Sequence, residues 1–314
     1  MFRLFATSLS CFALVACSSI STQNPESAVS TYYDYQLYSP SQQTLSLDSL
    51  PKTLLDADVI LVGEWHTHAG IHRFQTNLIE QLKESREVAV SMEQFSRDKQ
   101  AVVDNYLSGK IGEQVLIKDS NAWPNYESDY RPLVELAKAN DLNVIAANAP
   151  KPFVRCIGRK GLSYLNKLND EQRSYLAQSI DTSNSAYKEK FMASMHHGKP
   201  EQTEKQYAAQ VSWDETMAES ITLYLDQNTT HQVVHIAGKF HTEQGLGTKA
   251  SILKRNPNLN VVVITPTNSI TEQDNQNQDY LLHVLAPPVR YVQMENRMAA
   301  YKHLSKRNDS LDCE

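Results

Sequence analysis

The chain has 314 residues, with 30 Lys and Arg against 36 Asp and Glu and a formal net charge of −6. An acidic net charge argues against nucleic acid as a partner, because phosphate backbones recruit positive charge. Once an N-terminal leader is set aside, roughly 280 residues remain, enough to bury one large core or two small ones without covalent staples.

The leader comes first in chain order. Arg3 precedes a short apolar run ending at Leu14-Val15-Ala16-Cys17. That run is well below the ~20 residues that a membrane-spanning helix needs, and its charged start and small-residue end are those of a signal peptide. The end resembles the bacterial lipobox, in which the cysteine becomes the acylated first residue of the mature chain. The expectation is a leader over residues 1–16, a lipid on Cys17 and a tether over 17–45 rich in Ser, Thr, Asn, Pro and Gln. Ser18 and Ser19 follow the cysteine with no adjacent Asp, which by the same resemblance points to an outer membrane. Cys11 leaves with the leader and Cys17 is acylated, so only Cys156 and Cys313 remain. In a chain of this size no structural disulfide is expected.

Residues 46–290 read as a single domain. Residues 58–63 form a short β-rich run closed by Gly63, and Ile71, Phe74, Leu78 and Leu82 then recur at helical spacing. Residues 88–92 predict a second buried strand, 97–107 and the stretch around Leu133 two helices, and 143–147 a third strand ended by Pro150 and Pro152. Residues 158–205 carry no convincing strand and read as an inserted helical region, leading into the longest helix over 206–224. Strands follow at 232–238 and 260–264, with an edge strand at 279–285 and a polar, frayed tail over 291–314. Continuous apolar strands alternating with helices predict an α/β fold, a mainly parallel sheet covered by helices on both faces.

In such sheets the ligand crevice lies beyond the carboxyl ends of the strands. Those ends carry Gly63, Glu64, Trp65, His66, His68 and His72, then Glu93 and Gln94, then Asn148, then Gly238, Lys239, Phe240 and His241. Glu64, His66, Glu93 and His241 are expected to converge. Two carboxylates and two imidazoles are costly to bury in one crevice unless they pair, hold a divalent metal or meet a ligand. Taken singly, Glu64 also reads as a helix-capping charge, and His68 as a surface residue.

Seven blocks in order carry a family resemblance: Gly63-Glu64-Trp65-His66 with His72; Met92-Glu93-Gln94-Phe95; Trp123; Tyr130-Arg131-Pro132-Leu133; Ala147-Asn148-Ala149-Pro150; Ala209-Gln210 with Trp213-Asp214-Glu215-Thr216-Met217-Ala218; and Ala237-Gly238-Lys239-Phe240-His241. The pattern resembles the ChaN family of haem-binding, iron-regulated lipoproteins, within a Tiki superfamily that also holds erythromycin esterases and metalloproteases. The resemblance implies b-type haem whose ferric iron is held by a tyrosinate, and two haems stacked face to face in a homodimer. It further implies a His and a Lys from the opposite subunit on the propionates, membrane attachment through the lipid, and an outer-membrane haem receptor as a partner. A phenolate is a hard anionic donor suited to ferric iron. Tyr126 or Tyr130 is the expected iron ligand, with Lys239 and His72 on the propionates. The alternative is a hydrolase, metal-dependent or metal-free, working through Glu64, His66, Glu93 and His241.

Overall fold

A computed structural model describes residues 29–195, 199–271, 278–306 and 311–314. The leader, Cys17 and the first part of the tether lie outside the described residues. Eight strands form one sheet: β1 (Gln36–Tyr38), β2 (Thr44–Leu45), β3 (Val59–Glu64), β4 (Val88–Ser96), β5 (Asn143–Asn148), β6 (Gln232–Gly238), β7 (Val261–Thr267) and β8 (Tyr280–His283). Their order is β2-β1-β8-β7-β3-β6-β4-β5. Every neighbouring pair from β8 to β5 is parallel, and β1 runs antiparallel to both β8 and β2.

The central strands are buried on both faces, as their unbroken apolar runs require. Along β3, Ile60 and Val62 enter one core while Val59 and Leu61 enter the other. The first core is covered by α1 (Lys52–Leu55), α2 (Ala69–Leu82), α3 (Gln100–Leu107), α4 (Glu113–Asp119) and α5 (Arg131–Ala139), through Leu54, Phe74, Val103, Leu116 and Leu133. After β5 come α6 (Lys151–Lys160), α7 (Asp170–Ser174), α8 (Ala186–Ser194), the 28-residue α9 (Pro200–Gln227), α10 (Lys239–Thr242) and α11 (Thr248–Arg255). Met217, Ile221 and Leu225 of α9, with Ile252 of α11, close the second core. The inserted region, α6 to α8, packs on α9 through two satellite clusters centred on Ile157 and Phe191. No helix among the described residues is long and apolar enough to cross a membrane.

Three expectations change. The ordered domain begins within the stretch read as tether: Val29 is buried and β1 and β2 extend the sheet. These strands have three and two residues, too short for any periodicity to show. The strand near 280 lies inside the sheet, because β1 pairs on its outer side. The C-terminal residues do not simply fray: α12 (Met294–Lys306) is helical, and Cys313 is disulfide-bonded to Cys156. The bond staples the chain end onto α6, where Arg159 also donates to the Leu311 carbonyl at 2.6 Å and Lys160 pairs with Glu314 at 2.8 Å. Domain size removed the need for a staple in the core, but an end with so few apolar residues gains its attachment from one.

Candidate functional site

The carboxyl ends of β3, β4 and β6 lie side by side and bring Glu64, Glu93 and Gly238 together. Glycine is needed twice here. A Cβ on Gly63 would lie 2.6 Å from the Thr242 hydroxyl, and one on Gly238 2.9 Å from the His66 ring. The sheet end and α10 therefore approach more closely than any side chain permits. In β4 the register shifts between Met92 and Ser96, so Glu93 and Gln94 both turn toward the neighbouring strands' ends.

Glu64 is the hub of the first half of the site. Its Oε1 accepts from the Tyr130 hydroxyl at 2.7 Å, from His66 Nδ1 at 2.8 Å and from Gln94 Nε2 at 3.1 Å. Its Oε2 accepts from Gln75 Nε2 at 2.8 Å. Burial alone would raise the pKa of this carboxyl, but the His66 hydrogen bond and the charges of His72 and His66 outweigh it, and the group stays below its ordinary value. Burial likewise works against the charged form of His66, and the Glu64 hydrogen bond with the Glu93 and Glu64 charges raises it above the ordinary imidazole range. The charge is thus paired and satisfied rather than exposed at a helix start, so Glu64 is not a cap.

The second half mirrors the first. His241 Nδ1 lies 3.0 Å from Asp214 Oδ1, and its Nε2 lies 3.9 Å from Glu93 Oε1. Asp214 also accepts from Thr248 at 2.9 Å and from the Tyr187 hydroxyl at 2.8 Å. Glu93 Oε2 accepts the Gly238 backbone N–H at 2.7 Å. Burial opposes the His241 imidazolium, yet Asp214 and Glu93 overcome that cost and raise its pKa to about 9. The site is therefore a pair of histidine–carboxylate dyads, Glu64–His66 and Asp214–His241, with Glu93 between them.

Two clefts meet at this cluster, both bordered by His66 and His241. One, of about 800 Å³, is walled by Tyr32, Trp65 and Phe240, with Lys239 and Arg290 at its rim. The other, of about 610 Å³, includes Glu93, Trp123, Asn148 and Trp213. The four residues expected to converge do so, but among the described residues no group of three or more His, Cys, Asp or Glu forms a metal site. Both Glu64 oxygens, His66 Nδ1, Glu93 Oε2 and His241 Nδ1 are already engaged with one another and with glutamine, tyrosine, Asp214 and backbone partners.

The residues expected around haem separate. Lys239 lines the larger cleft, its Nζ 3.4 Å from Glu243. His72 is buried, with Nδ1 on Gln75 at 3.0 Å and Nε2 on the His66 carbonyl at 3.1 Å, so it presents no nitrogen to a propionate. Tyr126 and Tyr130 sit in one π-helical turn and are 2% and 0% exposed. Tyr126 packs on Phe95, its hydroxyl without a hydrogen-bond partner among the described residues, and Tyr130 is committed to Glu64. Burial, first of all, raises both phenols well above their ordinary range, as it also raises the Tyr32 phenol to a lesser degree. In this conformation neither meets a cleft, and the ligand expectation does not fit them. His68 is buried as well, under Tyr32 at 4.0 Å and bonded to the Leu285 carbonyl at 2.9 Å.

Asp214 orients His241 and Tyr32 lines the larger cleft, two placements that the sequence did not reveal. Gln210 and Asp214, four apart on α9, share the face toward His241. Tyr32 stands in a run with Tyr33, Tyr35 and Tyr38, an aromatic density at odds with a flexible tether.

By sequence, no match was found among curated proteins. By structure, the chain is similar to ChaN of Campylobacter jejuni, described as showing cofacial heme binding, with a TM-score of 0.62 and 18% identity over 81% of this chain and 98% of that one. It also matches a mutant of the erythromycin esterase EreC in its open conformation, with a TM-score of 0.45 and 13% identity over 85% and 86% of the two chains. At such identities the first likeness speaks to the fold alone, and the second is too distant to carry more. Residues 50–252 match the model of a family described as haem-binding uptake, Tiki superfamily, ChaN, and the chain belongs to that family.

Proposed function

We propose that the protein is a haem-binding lipoprotein of iron acquisition, taking up ferric haem in the cleft of about 800 Å³. Family membership supports the ligand class. The observation that carries the assignment to this cleft is its lining: Tyr32 is its one tyrosine, beside aromatic walls and two rim cations. The volume falls within the roughly 300–1,000 Å³ range of ligand pockets, and a flat apolar wall with cations at one edge matches a porphyrin with propionates. Among the described residues no hydrogen bond engages the Tyr32 hydroxyl. Tyr32 would hold the iron as phenolate, and Lys239 and Arg290 would face propionates. Iron bound through a phenolate is held in its ferric state for carriage. Attachment through Cys17 at the periplasmic side of an outer membrane, cofacial pairing of two loaded subunits and delivery from an outer-membrane receptor complete the proposal. The Cys156–Cys313 disulfide supports an oxidising compartment. The test is a titration of the mature chain with hemin: a tyrosinate-to-iron charge-transfer band is expected, and its loss in Tyr32→Phe. An unchanged band in that variant would reject Tyr32.

A second reading is favoured by the two dyads. His66 and His241, each oriented by a buried carboxylate, border the cleft of about 610 Å³ and are placed to move protons in ester hydrolysis. Glu93→Gln separates the readings: loss of activity on a p-nitrophenyl ester with the hemin spectrum intact supports hydrolysis, and no activity in the parent chain ends it.

A further inference from the structure

One surface of the molecule is apolar and covered by nothing among the described residues. Val289 and Val292 are 80% and 92% exposed, in the strap that leaves β8. The helix α12 follows, with Met294, Met298 and Tyr301 exposed as well. Those three fall at i, i+4 and i+7, so they make one face of the helix. Arg297, which donates to the Tyr301 hydroxyl at 3.4 Å, and Lys302 fall on either flank of that face, so positive charge borders its apolar residues as in helices that lie in a lipid interface. Residues 289–302 hold Arg290, Arg297 and Lys302 against the single Glu295, in a chain whose net charge is −6. The segment is thus a local basic cluster on an acidic protein.

Two observations decide what covers it. The first is charge. A two-fold contact between two copies would set this basic segment against itself, which like charges oppose, whereas anionic lipid complements it. The second is where the described chain begins. Val29 is buried, and Tyr32 lines the same cleft as Pro287, Pro288 and Arg290 of the strap. Residues 18–28 number eleven, and at most about 3.6 Å each lets them span ~40 Å. A lipid on Cys17 therefore brings a bilayer within reach of the strap and α12.

We propose that residues 289–301 form a docking surface for an anionic bilayer, the one in which the Cys17 lipid would sit, and that docking sets the rim of the larger cleft at the lipid surface. This rests in part on the lipoprotein reading, so the test keeps the two apart. The mature chain carrying Cys17→Ser, exported behind a removable leader, is mixed with vesicles of phosphatidylethanolamine and phosphatidylglycerol, or of phosphatidylcholine alone, and floated on a density gradient. Flotation with the anionic vesicles only is expected, weakening as salt rises. It should fall roughly tenfold or more when Val292, Met294 and Met298 are all changed to Ser, since apolar burial drives interfacial binding. These side chains are exposed, so the variant's thermal midpoint should match the parent's. Failure of the parent to float, or equal flotation of the variant, overturns the proposal. So does a parent that ignores vesicles but self-associates through the patch, shown by a drop in sedimentation coefficient in the variant. In parallel, the mass of the Cys17 peptide from the native chain reports acylation. An unacylated Cys17 with vesicle binding intact removes the anchor and leaves the docking surface. An acylated Cys17 in the native chain, with no vesicle binding by the Cys17→Ser chain, removes the docking surface alone.

Discussion

Tyr130 donates its phenolic hydrogen to Oε1 of Glu64 at 2.7 Å, and both side chains are buried. The contact gives this tyrosine a part in holding a buried carboxylate ionised, a different task from binding iron. Tyr130→Phe should therefore destabilise the fold by about 1.5–3 kcal/mol, the range for a hydrogen bond to a charged group. It should leave the hemin charge-transfer band in place. Urea unfolding and a hemin titration on the same variant check both halves. Loss of the band in Tyr130→Phe, with Tyr32→Phe unaffected, would return the iron to Tyr130.

The outline of this site was legible because its residues follow strands whose apolar runs are unmistakable. Residues 58–63, 88–92 and 232–238 announce buried parallel strands, and the polar residues just beyond them had to meet at one sheet edge. Glu64, His66, Glu93 and His241 do meet there. What stayed hidden depends on side-chain direction across long separations. Asp214 sits on a helix 27 residues before His241, and spacing gives no hint that it orients that ring. Aromatic density marks an interior and a ligand face equally well, so the sequence around Tyr126 and Tyr130 fits a haem wall as readily as a core. Their burial in a π-helical turn is a packing outcome that the sequence does not encode locally. Nor does anything in a polar tail announce that Cys313 folds back on α6.

The His241 imidazolium makes a signed prediction. Its pKa is raised from 6.5 to about 9 by Asp214 and Glu93 against the cost of burial. A raised folded-state value means that the stabilisation is complete below the unfolded pKa and disappears as pH rises through the folded one. Stability should decline between about pH 6.5 and pH 9, by an amount on the order of 3 kcal/mol for this group. Glu64, held below its ordinary value, acts oppositely and loses its contribution on acidification. Urea midpoints measured across the alkaline window should fall for the parent chain. Asp214→Asn, which removes the main raising charge, should be less stable at neutral pH and have a flatter alkaline slope. A parent midpoint that stays constant through the window would contradict the Asp214–His241 pair as drawn.

The disulfide between Cys156 and Cys313 closes a separation of 157 residues, for which chain entropy alone allows up to about 5 kcal/mol. Because it secures a chain end rather than the sheet, most of that effect should be local. Reduction, or Cys156→Ser, should speed proteolytic removal of residues beyond 290 by roughly tenfold or more while the remaining core keeps a cooperative transition. Mass spectrometry of timed trypsin digests reads this directly. Equal digestion rates with and without reductant would mean that the bond does not hold the end in place.

Haem should also set the oligomeric state. A porphyrin seated against Trp65 and Phe240 would leave its outer face to water, an apolar patch that soluble proteins rarely expose. Pairing two loaded clefts covers both faces. Since that burial exists only in the pair, mass action requires haem to promote association. Lys239 is available for a propionate across the interface: it lies at the cleft rim, and among the described residues its one ion-pair partner is Glu243, at 3.4 Å. Lys239→Ala should weaken the loaded pair by about 1.5–3 kcal/mol, roughly tenfold to a hundredfold in its dissociation constant, while Lys239→Arg should retain most of it. Sedimentation velocity of the mature, unacylated chain at micromolar concentration, with and without hemin, should show a monomer that becomes a dimer on loading. A loaded chain that remains monomeric would reject the cofacial arrangement for this protein even with the charge-transfer band present, and would leave one haem per subunit with its outer face covered by other means.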